Sequence, residues 1–142
     1  VIGETGVGKT ALIARYVRNE FPCRTYSHVN PDGSTIYPTV IDALDCILTF
    51  VEINSAQELA QLKYSTMPTA CLLMFSITDE RSFQRLNRFQ EAIHSHFPDT
   101  TINIPILILA NKIDCEHDRT VSQSSIDKVK AHGYHLVEVS VK

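Results

Sequence analysis

The sequence predicts a single α/β domain in which a mostly parallel sheet carries helices on both faces. Two stretches of strand length, Ala70–Ser76 and Ile104–Ala110, are apolar almost throughout, as expected of parallel strands buried on both faces. Segments with apolar residues at helical spacing alternate with the strands along the chain, and this order is typical of helices that cover a parallel sheet.

Length and composition agree with one ordinary globular domain. The chain has 142 residues, of which 44% are hydrophobic and 20% charged. The net charge of −3 gives no basic field, so we expect no nucleic-acid partner. No apolar run approaches the length of a membrane span. The four cysteines are widely spaced, which favours reduced thiols over a disulfide framework or a metal site.

The first half of the chain begins with a predicted helix from Thr10 to about Asn19. Its predicted buried face consists of Leu12, Ile13, Tyr16 and Val17. Pro22 ends the helix, because the residue before a proline disfavours helical backbone. A long polar loop is expected from Cys23 to about Tyr37, with turn-forming residues at Asn30–Ser34.

Further elements follow in order. Two strands are predicted at Thr39–Asp42 and Cys46–Ile53, with a turn at Ala43–Asp45 between them. A short helix is expected at Gln57–Lys63. Thr78 or Asp79 can cap a helix with an apolar stripe at Phe83, Leu86, Phe89, Ile93 and Phe97. Ser122 can cap a helix from Gln123 to about His132, and His135–Val139 is the last predicted strand.

A phosphate-binding loop is predicted at Gly3–Thr10. The stretch has a glycine, four further residues and then Gly-Lys-Thr, which is the phosphate-loop pattern. Glycines let the backbone wrap closely around a phosphate, and the helix that begins at Lys9 adds its dipole to the attraction. Lys9 would reach the outer phosphates, and the Thr10 hydroxyl would hold Mg²⁺, which prefers oxygen ligands.

A second polar motif, Asn111-Lys112-Ile113-Asp114, follows the strand that ends at Ala110. A carboxylate at Asp114 can accept hydrogen bonds from the ring N–H and the exocyclic amino group of guanine. Adenine offers no such pair and would leave the acid unpaired. In α/β folds ligands bind at the carboxyl ends of the strands, so this motif, the phosphate loop and Ser140 should share one rim.

With these motifs the sequence resembles the Ras superfamily of small GTP-binding proteins over nearly its whole length, and most closely its Ras-like or Miro-like members. The resemblance implies a P-loop NTPase fold that binds GTP or GDP with Mg²⁺. It also rests on Ser140-Val141-Lys142, on Phe21 as a base contact, and on the segments 77–83 and 119–121. The implied nucleotide-binding residues are Glu4, Thr5, Gly6, Val7, Gly8, Lys9, Thr10, Ala11, Phe21, Asn111, Lys112, Asp114, Ser140, Val141 and Lys142.

The switch segments depart from the family pattern. The first-switch threonine that binds Mg²⁺ is Thr35 in one register and Thr39 in another, and Thr35 is favoured. In the second switch Glu52 replaces the usual aspartate as a metal ligand, and Ser55 or Ala56 stands where the family has glycine. Gln57 matches the catalytic glutamine only with one extra loop residue, and an ordinary helix-start residue is an equal alternative. Thr5 would crowd an arginine finger from a partner.

The resemblance implies guanine-nucleotide binding and weak GTP hydrolysis, with Lys9 and Gln57 as catalytic residues. Effector and regulator proteins would contact the switch loops. The alternative is a catalytically inactive pseudo-GTPase that serves as a protein-binding scaffold. The Asn111 motif disfavours a third reading, an ATPase or kinase of the same fold.

The resemblance also sets expectations about extent and location. Residues 1–142 should form a GTPase domain that lacks the start of the first strand and the last helix. The protein should be cytoplasmic, or held at the cytoplasmic face of a membrane by segments outside this chain.

Overall fold

A computed structural model of the chain describes residues 1–19, 21, 33–62, 68–97 and 104–142. Its strands are β1 Ser34–Ile41, β2 Leu44–Val51, β3 Cys71–Ser76, β4 Ile106–Asn111 and β5 His135–Val139. Its α-helices are α1 Lys9–Arg18, α2 Ala56–Gln61, α3 Glu80–Gln84, α4 Leu86–His96 and α5 Gln123–Ala131, and a 3₁₀ helix spans Ile113–Asp118.

The central sheet is parallel, with strand order β3-β4-β5. In its register Ser76 lies beside Asn111, and Asn111 lies beside Val139. The polar residues that follow β4 and β5 therefore emerge at the same edge of the sheet. Ile2 forms parallel bridges to both Ile53 and Leu73, so the chain enters the phosphate loop from a position between the end of the β2 segment and β3.

Helices cover both faces of this sheet, which confirms the predicted α/β architecture. Alternate residues of each strand belong to two separate apolar clusters. One cluster packs Leu73, Phe75 and Ile108 against α2, α4 and α5. The other packs Met74 and Leu109 against α1 through Leu12. Because successive side chains of a strand point to opposite faces of the sheet, the core consists of two layers, one on each face.

The β1–β2 hairpin corrects two predictions. β1 pairs antiparallel with β2 from Ser34 to Ile41, so the predicted loop as far as Tyr37 is wrong at its C-terminal end. The turn consists of Asp42 and Ala43, with φ of 50° and 64°, and not of residues 43–45. Two positive φ values give the turn the twist that the flanking strands need, although alanine is not a usual residue for that conformation.

Two helix predictions are also corrected. The helix expected to run from the Asp79 cap to Phe97 is divided into α3 and α4 at Arg85. Tyr16 in α1 is 51% exposed rather than buried, and its ring contacts Tyr37 and Phe50 of the hairpin edge-on instead of the core.

Some sequence predictions fall outside the described residues. They include Pro22, Lys63 and most of the predicted loop from Cys23 onward. Within the part of the chain that the structure describes, no helix is long and apolar enough to cross a membrane.

Candidate functional site

The phosphate loop lies between Ile2 and the first turn of α1. Gly8 caps this helix with φ of 106° and ψ of 20°, a left-handed conformation that favours glycine. A Cβ atom on Gly8 would lie 2.3 Å from Nδ2 of Asn111, so the position has no room for a side chain. The amides of the first helical turn are free of any described side-chain cap, as an anion site at a helix start requires.

Lys9 is buried beneath the loop, with 4% of its surface exposed. Its Nζ donates to the carbonyl oxygens of Gly3 at 2.8 Å and of Glu4 at 2.7 Å. Burial lowers the pKa of Lys9, and the nearby Glu52 opposes that shift. The ammonium is therefore already directed along the loop, where a phosphate oxygen would offer it a stronger, charged acceptor.

Asn111 joins the phosphate loop to the end of the chain. Its Nδ2 donates to the Val7 carbonyl at 2.8 Å, and its Oδ1 accepts from the Val141 amide at 3.2 Å. The side chain is 1% exposed, so both bonds are shielded from water. The three segments predicted to share a rim are therefore held together by one side chain.

Asp114 lies at the start of the 3₁₀ helix and is oriented by Ser140. The Ser140 hydroxyl donates to Oδ1 of Asp114 at 2.7 Å, and it also accepts from the Lys142 amide at 3.3 Å. The bond from Ser140 is the main cause that lowers the pKa of Asp114. An ionised, solvent-accessible carboxylate with a fixed orientation can accept two hydrogen bonds from one ligand edge. Lys112 precedes it with φ of 72°.

Arg119 holds this loop to the sheet and was missed as a positioning residue. Its guanidinium donates to both carboxylate oxygens of Glu116 at 2.7 Å, and to Glu138 of β5 at 3.0 Å. The hydrogen bonds to Glu116 are the main cause that raises the pKa of Arg119. A bidentate pair adds geometric constraint, so the 3₁₀ helix that begins beside Asp114 is fixed against β5.

Thr10 and Glu52, both predicted as metal ligands, lie together. The Thr10 hydroxyl donates to Oε2 of Glu52 at 2.8 Å. A hydroxyl and a carboxylate at the mouth of a phosphate site are hard oxygen donors of the kind that Mg²⁺ prefers, so these two residues fit that ion. Within the described residues there is no group of three or more His, Cys, Asp or Glu that could hold a metal.

The first-switch candidates lie in the hairpin. Thr35 pairs with Phe50, and Thr39 pairs with Cys46. Thr35 therefore lies at the end of the hairpin, opposite a residue two positions before Glu52, and Thr39 lies four residues farther away. Within the described residues no hydrogen bond joins Thr35 to Thr10 or Glu52, so its predicted metal role stays a prediction.

The second-switch segment forms the start of α2. Ser55 caps the helix, and its hydroxyl accepts from the Glu58 amide at 3.1 Å. Glu58 in turn accepts from the Asn54 amide at 2.6 Å. Gln57 is exposed in the first helical turn. Its side chain contacts none of the phosphate-loop residues through a described hydrogen bond.

The remaining predicted contacts differ in how far they are exposed. Phe21 is 44% exposed, and Thr5 is exposed within the loop. Ala11, which was predicted to contact nucleotide, is half-buried in α1. Glu4 forms an ion pair of 2.6 Å with Arg85 at the α3–α4 joint, a contact that no sequence pattern predicts.

A sequence model of the Ras family matches residues 1–142. The chain belongs to the Ras family. It is similar to the Ras-related protein Rab-13 of Bos taurus, with 28% identity over 150 residues that cover 100% of this chain and 70% of the relative. It is also similar to the Ras-like protein family member 11B of Xenopus tropicalis, with 32% identity over 150 residues, 99% of this chain and 59% of the relative.

Membership of the Ras family confirms the resemblance drawn from the motifs. Proteins of the Ras family bind GTP and GDP and act as signalling switches. Two contacts were not predicted from the sequence, Glu4 with Arg85 and Arg119 with Glu138. They involve residues in or close to the two predicted motifs, the phosphate loop and the Asn111 motif. No periodicity or motif in the chain marks those four residues as pairs.

Proposed function

We propose that this Ras-family chain binds guanine nucleotide with Mg²⁺, hydrolyses GTP slowly and acts as a signalling switch. The observation that carries the proposal is the pair of hydrogen bonds in which Asn111 donates to the Val7 carbonyl and accepts from the Val141 amide. They support a single site in which the phosphate loop would bind the phosphates of a nucleotide and Asp114 would bind its base.

Guanine selectivity is assigned to Asp114. Its carboxylate would accept from the ring N–H and the exocyclic amino group of guanine, while Ser140 keeps the carboxylate in place through its 2.7 Å bond. An adenine ring would leave the acid without partners, and sites built around such hydrogen bonds reject the wrong ligand strongly. The Lys112 stem would lie along the ring, and Phe21 would contact the base.

Phosphate binding is assigned to the loop amides from Glu4 to Ala11 together with Lys9. Lys9 would exchange its carbonyl acceptors, Gly3 and Glu4, for phosphate oxygens. Thr10, Glu52 and, in the favoured register, Thr35 would hold Mg²⁺. When bound, this ion would neutralise charge on the outer phosphates.

Hydrolysis would proceed by attack of water on the γ-phosphorus, with the leaving GDP oxygen and the transferred phosphoryl oxygens stabilised by Lys9 and the loop amides. Gln57 is the residue proposed to orient the water. It is exposed on α2, which supports a low rate, because an unpositioned glutamine contributes little orientation.

The alternative, a pseudo-GTPase that serves as a protein-binding scaffold, is favoured by one observation. The amides of Asn54 and Glu58 in the second-switch segment are held by Glu58 and Ser55 side chains of the same segment. A cap of this kind would have to break before those amides could respond to a γ-phosphate. In this alternative the chain binds nucleotide without using it to change state.

The proposal extends to the surroundings of the site. Residues 1–142 would constitute a GTPase domain, cytoplasmic or held at the cytoplasmic face of a membrane by segments outside this chain. Effectors and regulators would contact the switch segments. The outer side of the hairpin supports this contact, since Ile36, Val40 and Ile47 are 56%, 63% and 73% exposed.

The first experiment identifies the nucleotide that the purified full-length protein carries, by denaturation and ion-exchange chromatography. GDP would support binding with turnover, and GTP would support the scaffold that does not hydrolyse. An empty site that takes up no GTP in the presence of Mg²⁺ would overturn the nucleotide-binding proposal. Gln57→Ala then tests the catalytic assignment, which predicts a lower single-turnover rate without loss of affinity.

The second experiment tests the base assignment. Competition of GDP and ADP against a fluorescent GDP analogue is measured for Asp114→Ala and for Asp118→Ala, a matched change at the exposed end of the same 3₁₀ helix. Asp114→Ala should lose the preference for guanine, and Asp118→Ala should keep it. An unchanged preference in Asp114→Ala would show that another residue reads the base.

A further inference from the structure

A cavity of about 580 Å³ lies between α4 and α5. Its inner wall is apolar and is formed by Leu86, Ile108 and Val129, of which Leu86 and Ile108 are 4% and 0% exposed. None of its lining residues belongs to the candidate nucleotide site. The remaining lining residues are mostly polar, so the cavity offers an apolar wall together with several hydrogen-bonding groups.

One lining residue has an unused hydrogen-bonding group. Gln90 of α4 is only 9% exposed, and its side chain faces this cavity. Within the described residues its amide has no protein partner, and its polar atoms are not fully buried. In the cavity a ligand could therefore replace water as the hydrogen-bond partner of this amide. The amide offers two donors and one acceptor.

The charge of the lining restricts the ligand. Lys128 is the one charged residue among the lining residues that the structure describes, and no carboxylate joins it there. His132 also lines the cavity, and its Nδ1 lies 2.6 Å from the Lys128 carbonyl oxygen. The imidazole adds no formal negative charge to the lining.

We propose that this cavity binds a small amphipathic carboxylate. The apolar body of such a molecule would pack against Leu86, Ile108 and Val129. Its carboxylate would accept from the Gln90 amide and would be attracted by Lys128. The site is separate from the nucleotide site and does not depend on the nucleotide proposal.

The test uses 3-phenylpropionate and its uncharged analogue 3-phenylpropionamide as probes, added to the full-length protein and followed by NMR chemical shifts. The acid should bind about three- to tenfold more tightly than the amide, since an exposed ion pair with Lys128 contributes only a modest binding free energy. Lys128→Met should remove that difference. Gln90→Leu should weaken both probes about tenfold, whereas Gln123→Leu, on the exposed start of α5, should change neither affinity.

Gln90→Glu provides an independent outcome. It keeps the side-chain length, and it should abolish binding of the acid by repulsion while it retains binding of the amide. Affinity for a fluorescent GDP analogue is measured in the same samples. Loss of nucleotide binding can therefore be distinguished from loss of probe binding in the cavity. The proposal is overturned if neither probe binds at millimolar concentration, or if Gln90→Leu binds both probes as the unmodified protein does.

Discussion

Nδ2 of Asn111 donates to the carbonyl oxygen of Val7 at 2.8 Å, across 104 positions of sequence. The same side chain accepts from the Val141 amide. A single buried amide therefore sets the distance between the loop that would hold phosphates and the loops that would hold a base. Changes at Asn111 should affect both ends of a bound nucleotide together.

Asn111→Asp tests this coupling. The new carboxylate has the same shape but cannot donate to Val7, and its charge would be buried. We expect the free energy of unfolding to fall by about 1–3 kcal/mol and affinity for a fluorescent GDP analogue to fall at least about tenfold. Asn87→Asp, the same change at an exposed position of α4, is the control. Equal affinities for the two variants would contradict the coupling.

Gly8→Ala tests the close contact at the loop. A Cβ atom would lie 2.3 Å from Nδ2 of Asn111 and would also require φ of 106°. We expect a loss of more than about 2 kcal/mol in unfolding free energy, measured by urea denaturation. Gly133→Ala separates the two causes, because its φ is 85° but nothing lies within 4 Å of the added atom.

The two glycine variants should therefore differ. Gly133→Ala has only the left-handed backbone penalty of about 1 kcal/mol. If both variants were destabilised equally, the contact with Asn111 would have no energetic consequence and backbone conformation alone would explain the effect.

Ser140→Ala tests the electrostatics of Asp114. The hydrogen bond from Ser140 lowers the pKa of Asp114 in the folded protein. Its contribution to stability is fully present above the unfolded aspartate pKa of about 3.9 and is lost as pH falls through the lower folded pKa. In Ser140→Ala the folded pKa should rise toward the unfolded value, as measured by NMR titration of the carboxyl carbon.

The stability difference between the unmodified protein and Ser140→Ala has a defined pH dependence. It should be constant above about pH 5 and should disappear toward lower pH, because both proteins then carry a neutral Asp114. Ser124→Ala, on the exposed face of α5, should leave the Asp114 titration unchanged. A pH-independent difference would mean that Ser140 acts only through packing.

Glu52→Gln tests the metal assignment. The Thr10 hydroxyl and Oε2 of Glu52 are 2.8 Å apart. Glutamine has the size of glutamate and can accept the same hydrogen bond, but it carries no charge. We expect Mg²⁺ affinity in the presence of GDP to fall about tenfold, so chelation by EDTA should accelerate nucleotide release less than in the unmodified protein. Glu91→Gln, exposed on α4, is the control. Identical EDTA responses in all three proteins would remove Glu52 from the metal site.

The sequence allowed the rim to be predicted because each of its parts follows a recognisable segment. Asn111 and Ser140 come directly after predicted strands, which are parallel, and the carboxyl ends of parallel strands lie at one edge of the sheet. The start of β1 was not predictable, because Ser34 and Thr35 lie among polar residues and become a strand only through pairing with Val51 and Phe50. The turn was predicted one residue too late, at Ala43–Asp45, because alanine is a weak turn residue and the positive φ of Ala43 is imposed by the hairpin.

The break at Arg85 and the exposure of Tyr16 both coincide with contacts to residues distant in the sequence. No glycine or proline marks the end of α3, where Arg85 forms its ion pair with Glu4 far away in the sequence. Tyr16 continued the apolar stripe of α1, but the hairpin provides its aromatic partners. The low exposure of Gln90 was equally difficult to predict from the sequence, because a polar residue in a helix is normally expected to face solvent.

The position of Ile2 has a consequence for the order of folding. Its amide donates to the Leu72 carbonyl and its carbonyl accepts from the Met74 amide, while the Gly3 amide donates to Ile53. These bonds join segments that are distant in sequence, and such contacts form late because loop closure is slow. The hairpin has a local turn and can form early. During refolding, fluorescence from a bound nucleotide analogue should therefore appear after the far-UV circular dichroism signal has recovered.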